Sequence, residues 1–169
     1  MNFWDIFTTK EEKSNISNLK QKINDNFPQL EENAKILLAS LSGLCARVAY
    51  VDFDICPKEA KQIKNSVLKW MDFSEQEAQF VADLAINEVK ELAGLDNRSY
   101  CTALNDILDN EKKLHVLETL FQISAADGNV EQLESEEIRI ICTGLLLEHK
   151  HFISARATVA NSIGALKKS

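Results

Sequence analysis

One stretch restricts the possible folds of this chain more than any other. Ile123–Ile138 reads Ile-Ser-Ala-Ala-Asp-Gly-Asn-Val-Glu-Gln-Leu-Glu-Ser-Glu-Glu-Ile. An apolar stripe of Leu114, Leu117 and Phe121 runs into Asp127-Gly128, where glycine supplies the positive φ that ends a helix at little cost. An acidic first turn then opens a second helix, with Glu131 as its cap and carboxylates at the positive end of its backbone dipole. The same design stands 75 residues earlier, around Val48–Ile63. A gapless shift by that distance lays Leu41, Cys45 and Val48 on Val116, Leu120 and Ile123, and Ile63, Val67 and Trp70 on Ile138, Cys142 and Leu145. Asp52, Asp54 and Glu59 fall on Asp127, Asn129 and Glu134. Two copies at so long a period predict a duplicated domain rather than a solenoid. Its two helix-turn-helix halves would face each other across a pseudo-twofold axis.

The rest of the chain fits an all-α fold, a single compact helical domain of about seven helices. Leu37, Leu41, Leu44, Val48 and Val51 follow a 3.6-residue period from about Glu32. Pro57 suits the first position of the next helix, which carries Ala60, Ile63, Val67 and Trp70 on one face. Ser74-Glu-Gln-Glu77 is a capping-box pattern, followed by Ala78, Val81, Ala82, Ala85, Val89 and Leu92 facing inward as far as Gly94. A shorter helix is expected over Arg98–Leu108, and further helices from a cap at Asn110, over about Gln132–Leu147 and from about Lys150 to Leu166. Residues 1–31 form a peripheral segment, and residues 32–169 the domain, with halves of about 32–93 and 98–169. The cluster of Phe3, Trp4, Ile6 and Phe7 is read as aromatics packed on the core, ahead of a docking peptide or a shallow membrane anchor.

Charge and cysteine usage exclude several functions. A net charge of -7 disfavours non-specific nucleic-acid binding, which needs Lys and Arg to displace phosphate counterions. Acids are concentrated: Asp127–Glu137 holds five carboxylates and no Lys or Arg, whereas four bases and no acid follow Glu148. Cys45, Cys56, Cys101 and Cys142 show no Cys-x-x-Cys spacing, so neither a zinc site nor a redox dithiol is indicated. No secretory signal or run of ~20 apolar residues is found, and a cytoplasmic location is expected.

Each turn has the pattern Asp-x-(Asp/Asn)-(Ile/Val)-x₃-Glu, so Asp52, Asp54 and Glu59 and then Asp127, Asn129 and Glu134 are the candidate metal ligands. Such hard oxygens suit Ca²⁺ or Mg²⁺. The pattern is not an EF-hand: counted from Asp127, position six is Gln132 and position twelve is Ile138, and counted from Asp52 they are Pro57 and Ile63. The competing reading is helix capping, which needs no ion and contributes about 1 kcal/mol per cap. The first turn, with Phe53 where glycine would help, leans towards capping; the second leaves both readings open. His149 and His151 point to different helix faces, and His115 lies beside core positions. No Gly-rich phosphate loop, serine elbow or local Cys–His pair is present, so an enzyme is not expected.

Ala126-Asp-Gly-Asn-Val130 with Glu134, the Leu145–Phe152 junction, and more faintly Ala49–Glu59 resemble the TerB-like family of bacterial tellurite-resistance and stress-associated proteins. The resemblance spans roughly Glu32 to Ile163. It implies an all-helical domain of two related halves and an acidic surface for a divalent metal. It also implies protein partners in stress-response assemblies linked to the inner face of the membrane. By position, the family's acidic residues are Asp52, Asp54 and Glu59, then Asp127, Asn129 and Glu134; Phe53 and Asn129 depart from a symmetric two-metal arrangement. Three functions follow, in order of expectation. The first is a non-enzymatic module that binds a divalent cation and docks proteins, and the second a purely structural interaction module whose acids cap helices. The third is a metal-dependent hydrolase working through a metal-bound water.

Overall fold

Helix formation starts with a reciprocal cap. Thr9 Oγ1 accepts the Glu12 N–H at 3.1 Å, and Glu12 Oε2 accepts the Thr9 N–H at 3.0 Å. This capping box satisfies two donors that an open helix end would leave bare. It opens α1 (Lys10–Asn26) in the computed structural model, which describes residues 3–7, 9–50, 57–70, 73–87 and 97–160. Then follow α2 (Glu32–Tyr50), α3 (Pro57–Trp70), α4 (Glu75–Asn87), α5 (Asn97–Ile107), α6 (Asn110–Ser124), α7 (Gln132–Gly144) and α8 (His149–Ala157). Short 3₁₀ turns cover Phe3–Asp5 and Ala125–Asp127. The described residues are all-α, with no strand among them.

The helices differ from expectation at particular places. α1 has no helical signal in the apolar pattern, because only Ile16, Leu19 and Ile23 form its buried stripe and polar residues fill the rest. The α6 cap is Asp109, which accepts the Lys112 N–H at 2.9 Å, one residue before Asn110. α7 stops at Gly144, three residues short of Leu147. There Leu146 donates to the Thr143 carbonyl at 3.0 Å and Leu147 to the Cys142 carbonyl at 3.2 Å. That is the Schellman closure of a helix, with Leu146 at the left-handed position (φ 58°) where glycine is usual. α8 begins at His149 and turns at Thr158. The expected features at Val51–Asp54, Met71–Asp72, Val89–Gly94 and residues 161–166 lie outside the described residues, as does the Trp70 side chain.

α2 occupies the middle. It packs against α1, α4, α5, α6 and α7. From Leu38 to Ala49 every residue but Gly43 and Arg47 is either a buried hydrophobic or a buried serine. A helix apolar on one stripe can sit at a surface, whereas one enclosed on all sides must be small wherever neighbours come close. Ala39, Ser40, Ser42, Gly43, Ala46 and Ala49 supply that smallness. At Gly43 the approach is closest: a Cβ there would fall 2.2 Å from Cζ of Tyr100, so the α5 ring lies directly on the α2 backbone.

Tyr100 in turn receives the N-terminal segment. The rings of Phe3 and Phe7 sit 6.4 and 6.3 Å from its centroid. Phe3, Trp4 and Phe7 are all buried. Trp4 Nε1 donates to Glu32 Oε1 at the start of α2, and Lys20 Nζ of α1 lies 5.4 Å from the Trp4 ring centroid. Burial pushes the Tyr100 phenol far above its ordinary pKa, with the nearby Arg47 acting in the opposite direction.

Two substitutions in α2 should act in opposite senses. Gly43→Ala forces Tyr100 and the aromatics behind it to move, and overpacking of this kind costs about 1–3 kcal/mol, measurable as a lower urea midpoint. Ser40 is fully buried and its hydroxyl has no hydrogen-bond partner among the described residues. Ser40→Ala removes that desolvated group and should raise stability by about 1 kcal/mol in the same denaturation experiment; a loss of stability would show that the hydroxyl is satisfied.

Candidate functional site

The turn between α6 and α7 is built by three successive local devices. Ala125–Asp127 tightens the end of α6 into a 3₁₀ turn. Gly128 then takes φ 96° and donates its N–H to the Ala125 carbonyl at 2.9 Å. A Cβ at Gly128 would touch nothing within 4 Å, so glycine is required by the backbone angle and not by space. Val130 is buried and ties the turn to the core.

Glu131 caps α7. Glu134, three residues on, accepts the Glu131 N–H through Oε2 at 2.9 Å, and Glu131 Oε1 accepts from Asn129 Nδ2 at 2.6 Å. Asn129, Glu131 and Glu134 are therefore brought together as one hydrogen-bonded group. Glu134 is only 2% exposed, which is unusual for a carboxylate and tolerable only where N–H donors or positive charge face it. The helix N-terminus supplies part of that field.

The remaining candidates fall elsewhere. Asp127 closes the 3₁₀ turn, and its side chain lies outside the described residues. Asp52 and Asp54 lie outside them entirely. Glu59 is in the first turn of α3, its side chain likewise not described. α3 packs against the 3₁₀ turn, and Gln62 Nε2 donates to Gln122 Oε1 at 3.4 Å. Among the described residues no group of three or more His, Cys, Asp or Glu side chains is arranged to hold a metal ion. The hard oxygens of Asn129 and Glu134 suit Ca²⁺ or Mg²⁺, but a cation site here also needs the Asp127 carboxylate.

Two partnerships had no local signal in the sequence. Arg47, in the last turn of α2, donates from Nε to Glu137 Oε1 at 2.8 Å across 90 residues. Periodicity cannot reveal such a pair, because packing of α2 on α7 creates it. His151 Nδ1 accepts the Glu148 N–H at 3.0 Å, taking the capping-box position usually held by Glu or Gln. His149 stacks on Phe152 at 5.7 Å, and His115 Nδ1 lies 3.1 Å from Glu118 Oε2. All three histidines thus have local structural contacts.

The described cysteines, Cys45, Cys101 and Cys142, are buried and not joined to one another by disulfides, and Cys56 lies outside the described residues. Burial pushes the Cys45 thiol up to about 12 and raises that of Cys142, the reverse of what a thiolate nucleophile requires. Two surface grooves lie away from the acidic turn. One, of about 590 Å³, is bordered by Phe27, Lys64, Glu75 and Phe80; the other, of about 460 Å³, by Phe3, Ile36, Asp106 and Ile107. No helix among the described residues is long and apolar enough to cross a membrane.

The family model for tellurite resistance protein TerB matches residues 37–157, from the first turns of α2 to the end of α8. Comparison with curated proteins and with solved structures gives no match. The matched span takes in the buried helix, the glycine turn with its capped acids and the Schellman-closed junction before α8, and on that extent the chain belongs to the TerB family.

Proposed function

We propose that this chain is a non-enzymatic TerB module of a bacterial stress or tellurite-resistance assembly, holding a divalent cation at the turn before α7 and docking protein partners. The observation that carries the reading is Glu134: a carboxylate almost wholly withdrawn from water, in a turn that also contributes Asn129 and the sequence position Asp127. Hard oxygen donors of this kind take Ca²⁺ or Mg²⁺. Asp52, Asp54 and Glu59 are the corresponding donors of the first turn. The raised thiols and the locally engaged histidines favour a binding role over catalysis. A cytoplasmic module working with complexes at the inner membrane fits the family.

A second reading has its own support. Glu134 Oε2 already accepts the Glu131 N–H, so these acids serve as helix caps in a purely structural interaction module. Thermal melting of EDTA-treated protein separates the two. Under the cation reading, Ca²⁺ or Mg²⁺ at about 100 times its dissociation constant raises stability by about 2.7 kcal/mol, and Asp127→Ala and Glu134→Gln abolish the rise. If neither ion moves the transition, while Glu134→Ala still lowers it, capping is the role of the turn.

A further inference from the structure

The groove beside the N-terminal segment has the make-up of a small-molecule cleft. Three parts of the chain wall it: the segment Phe3–Ile6, the first turns of α2 and the last two turns of α5. Phe3, Ile36 and Ala103 are buried there, and Ile6 and Ile107 are half-buried, so most of the lining is apolar. Its volume of about 460 Å³ lies within the roughly 300–1,000 Å³ in which proteins hold small ligands.

Asn33, Thr102 and Asp106 complete the lining, with no Lys, Arg or His among the residues around the groove. The Thr102 hydroxyl is committed to the Arg98 carbonyl at 2.8 Å. The Asn33 amide and the Asp106 carboxylate have no hydrogen-bond or ion-pair partner among the described residues. Asp106 also stands against the field of its own helix. It lies in the last turn of α5, where the backbone dipole is negative and a base would be stabilising, yet that turn contains none. The carboxylate and the helix end therefore add their negative potentials beside an apolar cleft. An anionic ligand would be repelled here. A wholly apolar one would cover two polar side chains without pairing them, which costs free energy. A cation on an apolar body meets both requirements.

We propose that this groove binds a small organic cation, an ammonium group carried on an aromatic or branched aliphatic body. The ammonium lies against Asp106, the body against Phe3, Ile36 and Ile107, and the Asn33 amide is available to a polar substituent. The site goes beyond the proposed function and shares no residue with the acidic turn, so neither reading depends on the other.

The test titrates 4-phenylbutylamine into the full chain, with 4-phenylbutanol and 4-phenylbutyrate as its neutral and anionic counterparts, followed by calorimetry and methyl NMR. The amine should bind about fivefold more tightly than the alcohol, the scale of one partly exposed ion pair, and the carboxylate should not bind. The methyl signals that move should be those of Ile6, Ile36 and Ile107. Asp106→Asn should bring the amine down to the affinity of the alcohol and leave the alcohol unchanged. Ala103→Leu, which places a larger side chain in the groove, should abolish binding of both while the remaining methyl spectrum stays that of the folded chain. If Ala103→Leu does not fold, the Asp106→Asn comparison decides by itself. No binding of the amine at millimolar concentration overturns the proposal. So do equal affinities for amine and alcohol, an amine affinity that Asp106→Asn leaves intact, and methyl shifts centred away from the groove.

Discussion

The structure depends on the close contact between the backbone of α2 and the ring of Tyr100. A helix with neighbours on every side must let at least one of them come to van der Waals distance of its main chain, and Gly43 is where that occurs. Tyr100 then becomes a platform for Phe3 and Phe7, and through them the N-terminal segment joins the core. Trp4 and Glu32 fasten that segment to the start of α2. Residues 37–157 alone carry the family match, yet the aromatics that cover Tyr100 come from before it.

The acidic turn shows how one set of side chains serves two physical ends. Asn129, Glu131 and Glu134 satisfy helix donors and one another, and this is sufficient to begin α7. Burial of Glu134 goes further than capping requires, since a solvent-exposed glutamate caps as well. Arg47 reaches the same helix through Glu137, so a cation from α2 also holds α7. Its exposed residues include Leu133 and Ile140 beside the polar Gln132, Arg139 and Thr143.

Sequence alone made the fold class and most helix positions legible, because both rest on local chemistry. The Leu41–Leu44–Val48 stripe, Pro57 at the start of α3, Ser74 at the cap of α4 and Gly128 at the turn each act within a few residues of themselves. The Thr9–Glu12 box was readable on the same grounds, but the helix it opens has too narrow an apolar stripe for periodicity to mark. Leu146 defeats sequence reading for a different reason: nothing about leucine signals a helix stop, and the left-handed turn is held by hydrogen bonds to Thr143 and Cys142.

Of the candidate site, the amino-acid sequence by itself determined which acids cluster at the turn and that glycine must end the preceding helix. Both follow from spacing and from the backbone freedom of one residue. Only the tertiary structure decided that Glu134 turns inward while Glu131 stays in water, that Arg47 meets Glu137, and that α2 is enclosed rather than half-exposed. Those outcomes depend on which helices pack together, and burial is a property of the neighbours a side chain acquires, which no local pattern encodes.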